Sequence, residues 1–267
     1  MTETVKRQRV RLRERLDSDE ADRLLMQVLG VNRAWLFAHD DATLSAPQAA
    51  QIDALAARRA SGEPLAYVLG EQDFYGRVFE VNPAVLIPRP DTECLVDAAL
   101  ARGNGGVWLD LGTGSGAIAV TLALERSDWL VCACDRSALA LRVAQKNARR
   151  LSALVRFWCG DWLAAVAPSS VDGIVANPPY LAPDDPHLPS LQHEPRSALV
   201  AGSDGLHDLR AIARAALVAL KPGGWLMLEH GFAQGGAARE ILRGYADVQT
   251  LLDLERRERV TMGRRPW

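Results

Sequence analysis

The stretch "GVWLDLGTGSGAIAV", residues 106–120, changes its periodicity halfway along and decides the fold class. Its first half is an apolar run typical of a buried strand, and its second half opens a helix of small and branched apolar residues. Between them, Gly112, Gly114 and Gly116 leave out side chains where the chain turns sharply and where a ligand can approach the backbone. The pattern predicts a strand, a ligand-binding loop and a helix.

The same alternation continues along the rest of the chain. After the loop helix, expected over 115–126, the sequence predicts this series: strand "WLVCACD", helix 137–151, strands "VRFWCG" and "VDGIVAN", helix "DLRAIARAALVAL", strand "GGWLMLEHG", a helix near 236–243, and strands "ADVQTLLDL" and "RERVTMGRR". Alternation of this kind indicates a mainly parallel, Rossmann-like α/β sheet with helices on both faces. The last strands are expected to run antiparallel.

The residues before this sheet have a different character. Residues 1–72 predict a small helical bundle, since "SDEADRLLMQVLG" and "SAPQAAQIDALAARRASG" carry apolar residues at helical spacing and end in glycine. "DFYGRVFEVNPAVLIPRPD" alternates apolar and polar residues and predicts a β-hairpin linker over 73–89. The sheet domain then spans 90–267, and its first helix covers 90–101.

Composition excludes several classes of protein. The 267 residues carry a net charge of -2, which gives no general attraction to nucleic acid or anionic membranes. We expect no membrane span, because no stretch approaches 18 uninterrupted apolar residues, and no secretion signal, because the N-terminus lacks an apolar h-region. We also expect no metal site, because the five histidines are scattered and the four cysteines form no CxxC pair. Reduced thiols and a cytoplasmic location follow. The basic stretches 6–15 and 256–267 are expected to form a solvated face or frayed ends, and the alternative is a contact with an acidic partner or RNA.

Two carboxylates indicate which cofactor the glycine loop binds. Asp135 ends the second strand of the series, where it can accept hydrogen bonds from both hydroxyls of a ribose or cap the helix that follows. The loop suits a nicotinamide dinucleotide or S-adenosylmethionine. Asp110, two residues before Gly112, would repel a pyrophosphate and attract the ammonium of a methionine moiety, which favours S-adenosylmethionine. The candidate cofactor residues are Gly112, Thr113, Gly114, Ser115, Gly116, Asp135, Asn177 and Trp162, the last beside the adenine or simply in the core.

The segment "NPPY", residues 177–180, follows the fourth strand and therefore lies at the same edge of the sheet. Asn177 offers a carboxamide oxygen, Pro178 offers a carbonyl without a neighbouring donor, and Pro179 stiffens the turn. Tyr180 adds a flat face. Two rigid acceptors and a flat face suit a planar NH2 group, which they would orient for methylation. The alternative is a stiff loop in which Asn177 caps backbone groups.

A series of motifs along almost the whole chain is similar to the peptide chain release factor glutamine methyltransferases, the HemK/PrmC family of class I S-adenosylmethionine-dependent enzymes. The matching segments are "GEPLAYVLGEQDFYG", "VLIPRPDTECLVDAAL", "DLGTGSGAIA", "NPPYL", "EPRSAL", "GSDGLHDLR", "LEHGFAQG" and "RVTMGR". The resemblance implies methyl transfer to the side-chain amide of the glutamine in the GGQ motif of class I release factors.

The resemblance also implies site roles. Asn177 and Pro178 would be catalytic and would bind the substrate amide, with Pro179 and Tyr180 shaping its slot. The helical domain would bind the release factor, and the enzyme would work as a monomer without a stable nucleic-acid or membrane partner. His193 replaces an aromatic residue, and Arg136 replaces a small apolar residue, that are common in the family.

Three other functions stay open at this stage. An amino methyltransferase acting on a base of DNA or RNA would use the same slot with a flipped or single-stranded base, but it would need a basic groove. A non-catalytic S-adenosylmethionine sensor would need the glycine loop without the stiff acceptor pair. A dehydrogenase would need a proton-shuttling group beside the loop, which the sequence does not place there.

Overall fold

The computed structural model describes residues 3–267, so the first two residues of the predicted helical bundle lie outside the described residues. Two compact units divide the chain between Glu71 and Gln72. In the first unit, the described residues form the helices α1 (Val5–Arg13), α2 (Ser18–Leu29), α3 (Arg33–Ala38), α4 (Ala46–Ala60) and α5 (Leu65–Leu69). Their apolar faces pack into one core.

Local signals explain where these helices begin and end. The Asp17 side chain accepts from the Asp19 amide at the start of α2, and Gly30 ends that helix at a φ of 67°. At the start of α4, Ser45 and Gln48 form a capping box. Helix ends that satisfy their own backbone groups need little help from the rest of the chain.

The basic stretch 6–15 forms most of α1, and it differs from the solvated face expected from sequence. Arg9 donates two hydrogen bonds to the buried Asp22 carboxylate, at 2.6 and 2.7 Å. Arg11 donates to both carboxylate oxygens of Asp53, at 2.8 and 2.9 Å. Part of this positive charge therefore joins α1 to neighbouring helices of its own unit.

The second unit begins in a hairpin. The two strands are β1 (Glu71–Phe74) and β2 (Arg77–Glu80), and Tyr75 and Gly76 between them have φ values of 51° and 69°. Positive φ at both turn residues matches the twist of a two-residue hairpin. None of the described residues 81–89, which the alternation assigned to the hairpin linker, lies in a strand.

The remaining elements of the second unit alternate along the chain. Its described helices are α6 (Glu93–Arg102), α7 (Ala117–Glu125), α8 (Ala138–Arg150), α9 (His207–Ala219) and α10 (Gly235–Ile241). Its described strands are β3 (Gly106–Leu111), β4 (Trp129–Asp135), β5 (Val155–Cys159), β6 (Val171–Ala176), β7 (Leu220–Glu229), β8 (Ala246–Leu252) and β9 (Glu258–Arg264).

Within the described part of the chain, these seven strands form one sheet in the order β5-β4-β3-β6-β7-β9-β8. The strands from β5 to β7 are parallel, and β9 runs antiparallel to both of its neighbours. The predicted Rossmann-like α/β sheet with antiparallel last strands is confirmed. The basic residues 256–267 lie mostly in β9, where Arg259 is buried, and this also differs from a solvated tail.

Two tryptophans fix the packing under the central strand. Trp108 of β3 stacks on Trp129 of β4, with ring centroids 4.3 Å apart and planes 9° apart. A Cβ on Gly173 would lie 2.5 Å from the Trp108 ring, so β6 needs a glycine at this position. Close packing around one large ring pair holds β3 between its two neighbours.

The strand register aligns the residues that follow the central strands. Leu111 pairs with Cys134 on one side and with Ala176 on the other, and Ala176 pairs with Leu228. The residues that follow these four paired residues in the chain therefore lie side by side across the sheet. Those residues are Gly112, Asp135, Asn177 and Glu229.

Candidate active site

A cavity of about 310 Å³ lies at this carboxyl edge, a size found for small-molecule sites. Its walls come from the glycine loop, the ends of β4, β5 and β6, and two connecting segments, 83–89 and 195–198. Of the predicted site residues, those that line the cavity are Gly112, Thr113, Gly114, Ser115, Asp135, Trp162, Asn177 and Pro179. Gly116, Pro178 and Tyr180 do not line it.

The glycine loop directs its backbone N–H groups into the protein. The Thr113 N–H donates to the Cys134 carbonyl at 2.9 Å, and the Gly114 N–H donates to the Asp135 carboxylate at 2.9 Å. The Gly116 N–H donates to the Thr113 carbonyl at 2.8 Å. A phosphate-binding loop needs such groups free to face the anion. This loop therefore suits an uncharged or cationic part of a ligand better than a pyrophosphate.

Gly116 lies outside the cavity lining and packs against α8, so its predicted cofactor contact stays a prediction. Its φ is 83°, and a Cβ there would lie 3.1 Å from both Cα and Cβ of Ala144 in α8. It precedes α7 directly. The third glycine lets the loop and α7 approach α8 closely, which is a reason that the glycine spacing alone does not reveal.

Asp110 is also placed differently from the sequence interpretation. Its side chain is 1% exposed and does not line the cavity. One carboxyl oxygen accepts from the Thr113 hydroxyl at 2.6 Å and from the Ala119 N–H at 3.2 Å. Burial raises the pKa of Asp110 to about 7. Asp110 supports the loop from the protein interior through its hydrogen bond with Thr113. The preference against pyrophosphate therefore rests on the loop N–H groups that are already hydrogen-bonded within the protein, and not on the charge of Asp110.

Asp135 lines the cavity and also organises the turn that follows β4. One oxygen accepts from the Gly114 N–H at 2.9 Å, and the other accepts from the Ser137 N–H at 2.8 Å. Ser137 itself caps α8. Each carboxylate oxygen has further lone pairs, so the group can accept from a ligand hydroxyl while it keeps both backbone contacts.

Trp162 is half-buried and lies at the cavity wall. It has a φ of 42°, which is uncommon for a residue other than glycine. A Cβ on Gly112 would lie 3.1 Å from the Trp162 ring. The first loop glycine therefore makes room for a flat apolar surface against which an aromatic ligand group can stack.

The "NPPY" segment turns away from β6 with a rigid, buried backbone. Asn177 is half-buried, and its Nδ2 donates to the Thr92 hydroxyl at 3.1 Å. Pro178 and Pro179 are buried, and the Tyr180 carbonyl accepts from Gln234 at 2.9 Å. Burial raises the pKa of Tyr180 to about 12, so its phenol stays protonated near neutral pH.

Two buried polar residues beneath Asn177 were missed by sequence reasoning. Thr92 belongs to a short 3-10 helix before α6, and Glu229 ends β7. Burial raises the pKa of Glu229 to about 7, against the effect of hydrogen bonding to Thr92, of Arg259 and of hydrogen bonding to Asn177. Both residues stand inside quoted motifs, "PRPDTE" and "LEHG", but only the fold brings them together.

Three hydrogen bonds hold the connecting segments that enclose the cavity. The buried Glu194 carboxylate accepts from the Ile87 N–H at 3.0 Å and from the Arg89 guanidinium. Arg136, directly after Asp135, donates to the Ser197 carbonyl at 3.0 Å. The "PRPDTE" and "EPRSAL" segments thus form two adjoining walls, and Arg136 ties the second wall to the end of β4.

Two other kinds of site are absent from the described residues. Over residues 3–267, no group of three or more His, Cys, Asp or Glu side chains is arranged to hold a metal ion. No helix in the described part of the chain is both long and apolar enough to span a membrane.

Comparison with known proteins gave two family matches. Residues 3–70 match the model described as "PrmC N-terminal domain", and residues 90–193 match "Methyltransferase small domain". Together the two matches leave out residues 71–89, which contain the hairpin, and residues 194–267, which contain α9, β7, α10, β8 and β9.

Curated relatives align over nearly the full chain. A "Release factor glutamine methyltransferase" of Xylella fastidiosa (strain Temecula1) is 46% identical over 262 residues, covering 95% of each chain. One of Neisseria gonorrhoeae is 48% identical over 258 residues, covering 94% of each. Among solved structures, a methyltransferase from Pyrococcus furiosus is similar with a TM-score of 0.56 and 20% identity. That alignment covers 79% of this chain and 98% of the other, and it supports the fold.

Proposed function

The chain belongs to the release factor glutamine methyltransferase family, and from that premise we propose that it methylates the glutamine of the GGQ motif in class I peptide chain release factors. The methyl donor is S-adenosylmethionine, and the acceptor is the side-chain amide nitrogen. One observation carries the proposal: a cavity suited to that cofactor ends at Asn177, whose amide nitrogen is held by Thr92. The carboxamide oxygen is then left for a substrate donor.

The residues of the cavity fit S-adenosylmethionine. Asp135 can accept from the ribose hydroxyls, and Trp162 offers a flat surface to the adenine. The loop from Gly112 to Ser115 presents little positive potential, since three of the N–H groups of residues 112–116 are bonded internally. When bound, the cofactor supplies an electrophilic methyl group, and its sulfur keeps the electron pair of the broken bond.

Asn177 and Pro178 act on the substrate amide. The lone pair of a carboxamide nitrogen is delocalised, so the nitrogen is a weak nucleophile. The Asn177 side-chain oxygen and the Pro178 carbonyl each accept a hydrogen bond from one N–H of the substrate amide, and together they orient its nitrogen toward the cavity. Both oxygens also stabilise the positive charge that develops on this nitrogen during methylation. The nitrogen then loses its proton to water, and no strong base is required.

Pro179 and Tyr180 complete the proposed slot, although only Pro179 lines the cavity itself. Pro179 limits the backbone freedom of the turn, and Tyr180, which packs against the core of the unit, is proposed to shape the slot for the glutamine side chain. Residues 1–72 are proposed as the release-factor-binding domain, 73–89 as the linker and 90–267 as the methyltransferase domain. The protein is proposed to work as a monomer without a stable nucleic-acid or membrane partner, and its net charge of -2 gives no general attraction to either.

A competition assay tests this function against methylation of a nucleobase. The protein is incubated with tritiated S-adenosylmethionine and equal amounts of a class I release factor, ribosomal RNA and duplex DNA. We expect the label in the release factor alone, and its loss when the GGQ glutamine is replaced by asparagine. Label in nucleic acid with none in the release factor would refute the glutamine assignment. We further expect activity in the cytoplasm, where free thiols such as the four cysteines of this chain persist.

A further inference from the structure

We propose that Gln234 and Gly205 are positioning residues that fix the peptide after Tyr180 and thereby hold the "NPPY" acceptors in place for methyl transfer. The inference rests on the proposed function and adds two residues to it. Neither of them lines the cavity. Both stand in quoted motifs to which the proposed slot gives no role, Gly205 in "GSDGLHDLR" and Gln234 in "LEHGFAQG".

The Gln234 carboxamide bridges the segment after β7 and the "NPPY" turn. Its Oε1 accepts from the Gly231 N–H at 2.9 Å, and its Nε2 donates to the Tyr180 carbonyl at 2.9 Å. The reverse orientation of the amide would set two donors against each other at Gly231 and two acceptors against each other at Tyr180. Gln234 therefore keeps both contacts in one orientation only, with its donor end on Tyr180.

Gln234 is itself held by the segment after β7. Its backbone N–H donates to the Gly231 carbonyl at 2.8 Å, so the two residues bond each other reciprocally. The same carbonyl contacts Nδ1 of the buried His230 at 2.9 Å, and because a carbonyl can only accept, this Nδ1 carries the hydrogen. Nε2 of His230 lies 2.7 Å from the Thr261 hydroxyl of β9. The bridge to Tyr180 thus starts from a segment that is anchored in the sheet.

Gly205 packs against the same Tyr180 carbonyl from the loop before α9. Its φ is 71°, and a Cβ there would lie 2.3 Å from the Tyr180 oxygen and 3.0 Å from Nε2 of Gln234. A residue without a side chain therefore leaves room for the hydrogen bond between them. The other edge of this peptide is held as well, since the Leu181 N–H donates to the Leu199 carbonyl at 2.9 Å.

The fixed peptide lies close in the chain to the Pro178 carbonyl, the proposed second acceptor for the substrate amide. Proline rings fix φ at Pro178 and Pro179, and peptide planes are rigid, so few torsions separate the Pro178 and Tyr180 carbonyls. A shift of the Tyr180 peptide is therefore carried back to Pro178 and Asn177. Misplacement of an orienting group by about 1 Å can cost roughly a hundredfold in rate.

Gly205→Ala tests the inference with a matched control in the same loop. Cβ contacts do not fall below about 3.0 Å, so the 2.3 Å approach to the Tyr180 oxygen requires one backbone to move by about 0.7 Å. Gly202→Ala is the control, because its φ is 66° and the atoms nearest to its new Cβ, the first at 2.8 Å, all belong to His207. Both variants should lose stability, since both place a side chain at positive φ.

Gln234→Glu tests the hydrogen bond separately. The exchange keeps the shape of the side chain and the acceptor for the Gly231 N–H, but it sets an oxygen against the Tyr180 carbonyl. Gln249→Glu in β8 is its control, because Oε1 of the exposed Gln249 accepts from Arg102 at 3.4 Å and the exchange keeps that acceptor.

The measurements are kcat, KM for the release factor and cofactor affinity by calorimetry, at a temperature where each protein is folded. We expect kcat to fall roughly tenfold or more in Gly205→Ala and Gln234→Glu, while KM and cofactor affinity stay within about twofold of wild type. Gly202→Ala and Gln249→Glu should keep kcat within about twofold of wild type.

A wild-type kcat in Gly205→Ala or Gln234→Glu would overturn the inference, and so would a cofactor affinity that falls in parallel with kcat. Gln234→Glu decides the matter alone if Gly205→Ala does not fold. A wild-type protein that leaves the release factor unmethylated would overturn the proposed function, and the inference with it.

Discussion

Gly116→Ala should lower the stability of the methyltransferase unit without removing a cofactor contact. Gly116 has a φ of 83°, a left-handed conformation that costs a residue with a Cβ about 1–2 kcal/mol. The new Cβ would lie 3.1 Å from Cα and Cβ of Ala144 and 3.4 Å from Val120 Cγ2. Because one of these atoms is backbone of α8, the crowding adds about 1–3 kcal/mol.

Both effects act together, so we expect a loss of about 2–5 kcal/mol in the free energy of unfolding. For a unit of this size, that corresponds to a fall in Tm of roughly 4–20 °C. The assay is thermal unfolding followed by circular dichroism, with cofactor affinity measured by calorimetry at a temperature where the variant is folded. Cofactor affinity should change little, because the added methyl group lies against α8 and outside the cavity.

Gly114→Ala is the matched control. Gly114 also has a positive φ, of 56°, but the nearest heavy atom to its new Cβ is 4.0 Å away. The stability loss should stay near the conformational cost of about 1–2 kcal/mol. Gly114 lines the cavity, so this methyl group should reduce cofactor affinity more than the one at position 116. The reverse pattern, with Gly116→Ala the more stable variant and the weaker binder, would refute the packing role of Gly116.

Three further changes probe the same region. Burial raises the pKa of Asp110 from 3.8 to about 7, so the free energy of unfolding of the wild type should decline relative to that of Asp110→Asn as the pH rises from about 4 to about 7. The decline should reach up to about 1.4 kcal/mol per pH unit and level off above about pH 7. Urea unfolding of both proteins at a series of pH values measures this difference. Arg136→Ala removes the hydrogen bond from Arg136 to the Ser197 carbonyl, which ties the 195–198 wall of the cavity to the end of β4. The cofactor dissociation rate should therefore rise about two- to fivefold in stopped-flow experiments, without a change in Tm. Arg89→Met leaves the buried Glu194 carboxylate without its cation and should cost about 3 kcal/mol of stability, part of which Glu194→Gln should restore in the double variant.

The sequence predicted the fold well because the α/β pattern is local. Parallel strands are buried on both faces, so in the sequence they are continuous apolar runs, and amphipathic helices separate them. The edge that carries the site follows from the same pattern, since parallel strands share one carboxyl edge. Asp135 and Asn177 could therefore be placed near the glycine loop from their positions alone.

The remaining features depend on contacts that local sequence does not encode. Whether Asp110 faces the cavity or the interior depends on the packing beneath β3, and Gly116 is explained only by the approach of α8. The contact of Asn177 with Thr92 joins segments 85 residues apart in the chain. Glu229 becomes its neighbour only because β7 pairs with β6, and strand order is not visible in the apolar periodicity.

Mass spectrometry of a release factor after incubation with the protein and S-adenosylmethionine tests the central claim most directly. We predict that the peptide carrying the GGQ motif gains the mass of one methyl group in place of a hydrogen, and that fragmentation locates it on the glutamine side chain. Asn177→Ala should bind cofactor normally yet lower the rate of this modification by roughly two orders of magnitude or more. An unmodified glutamine with the wild-type protein, or full modification with Asn177→Ala, would contradict the account.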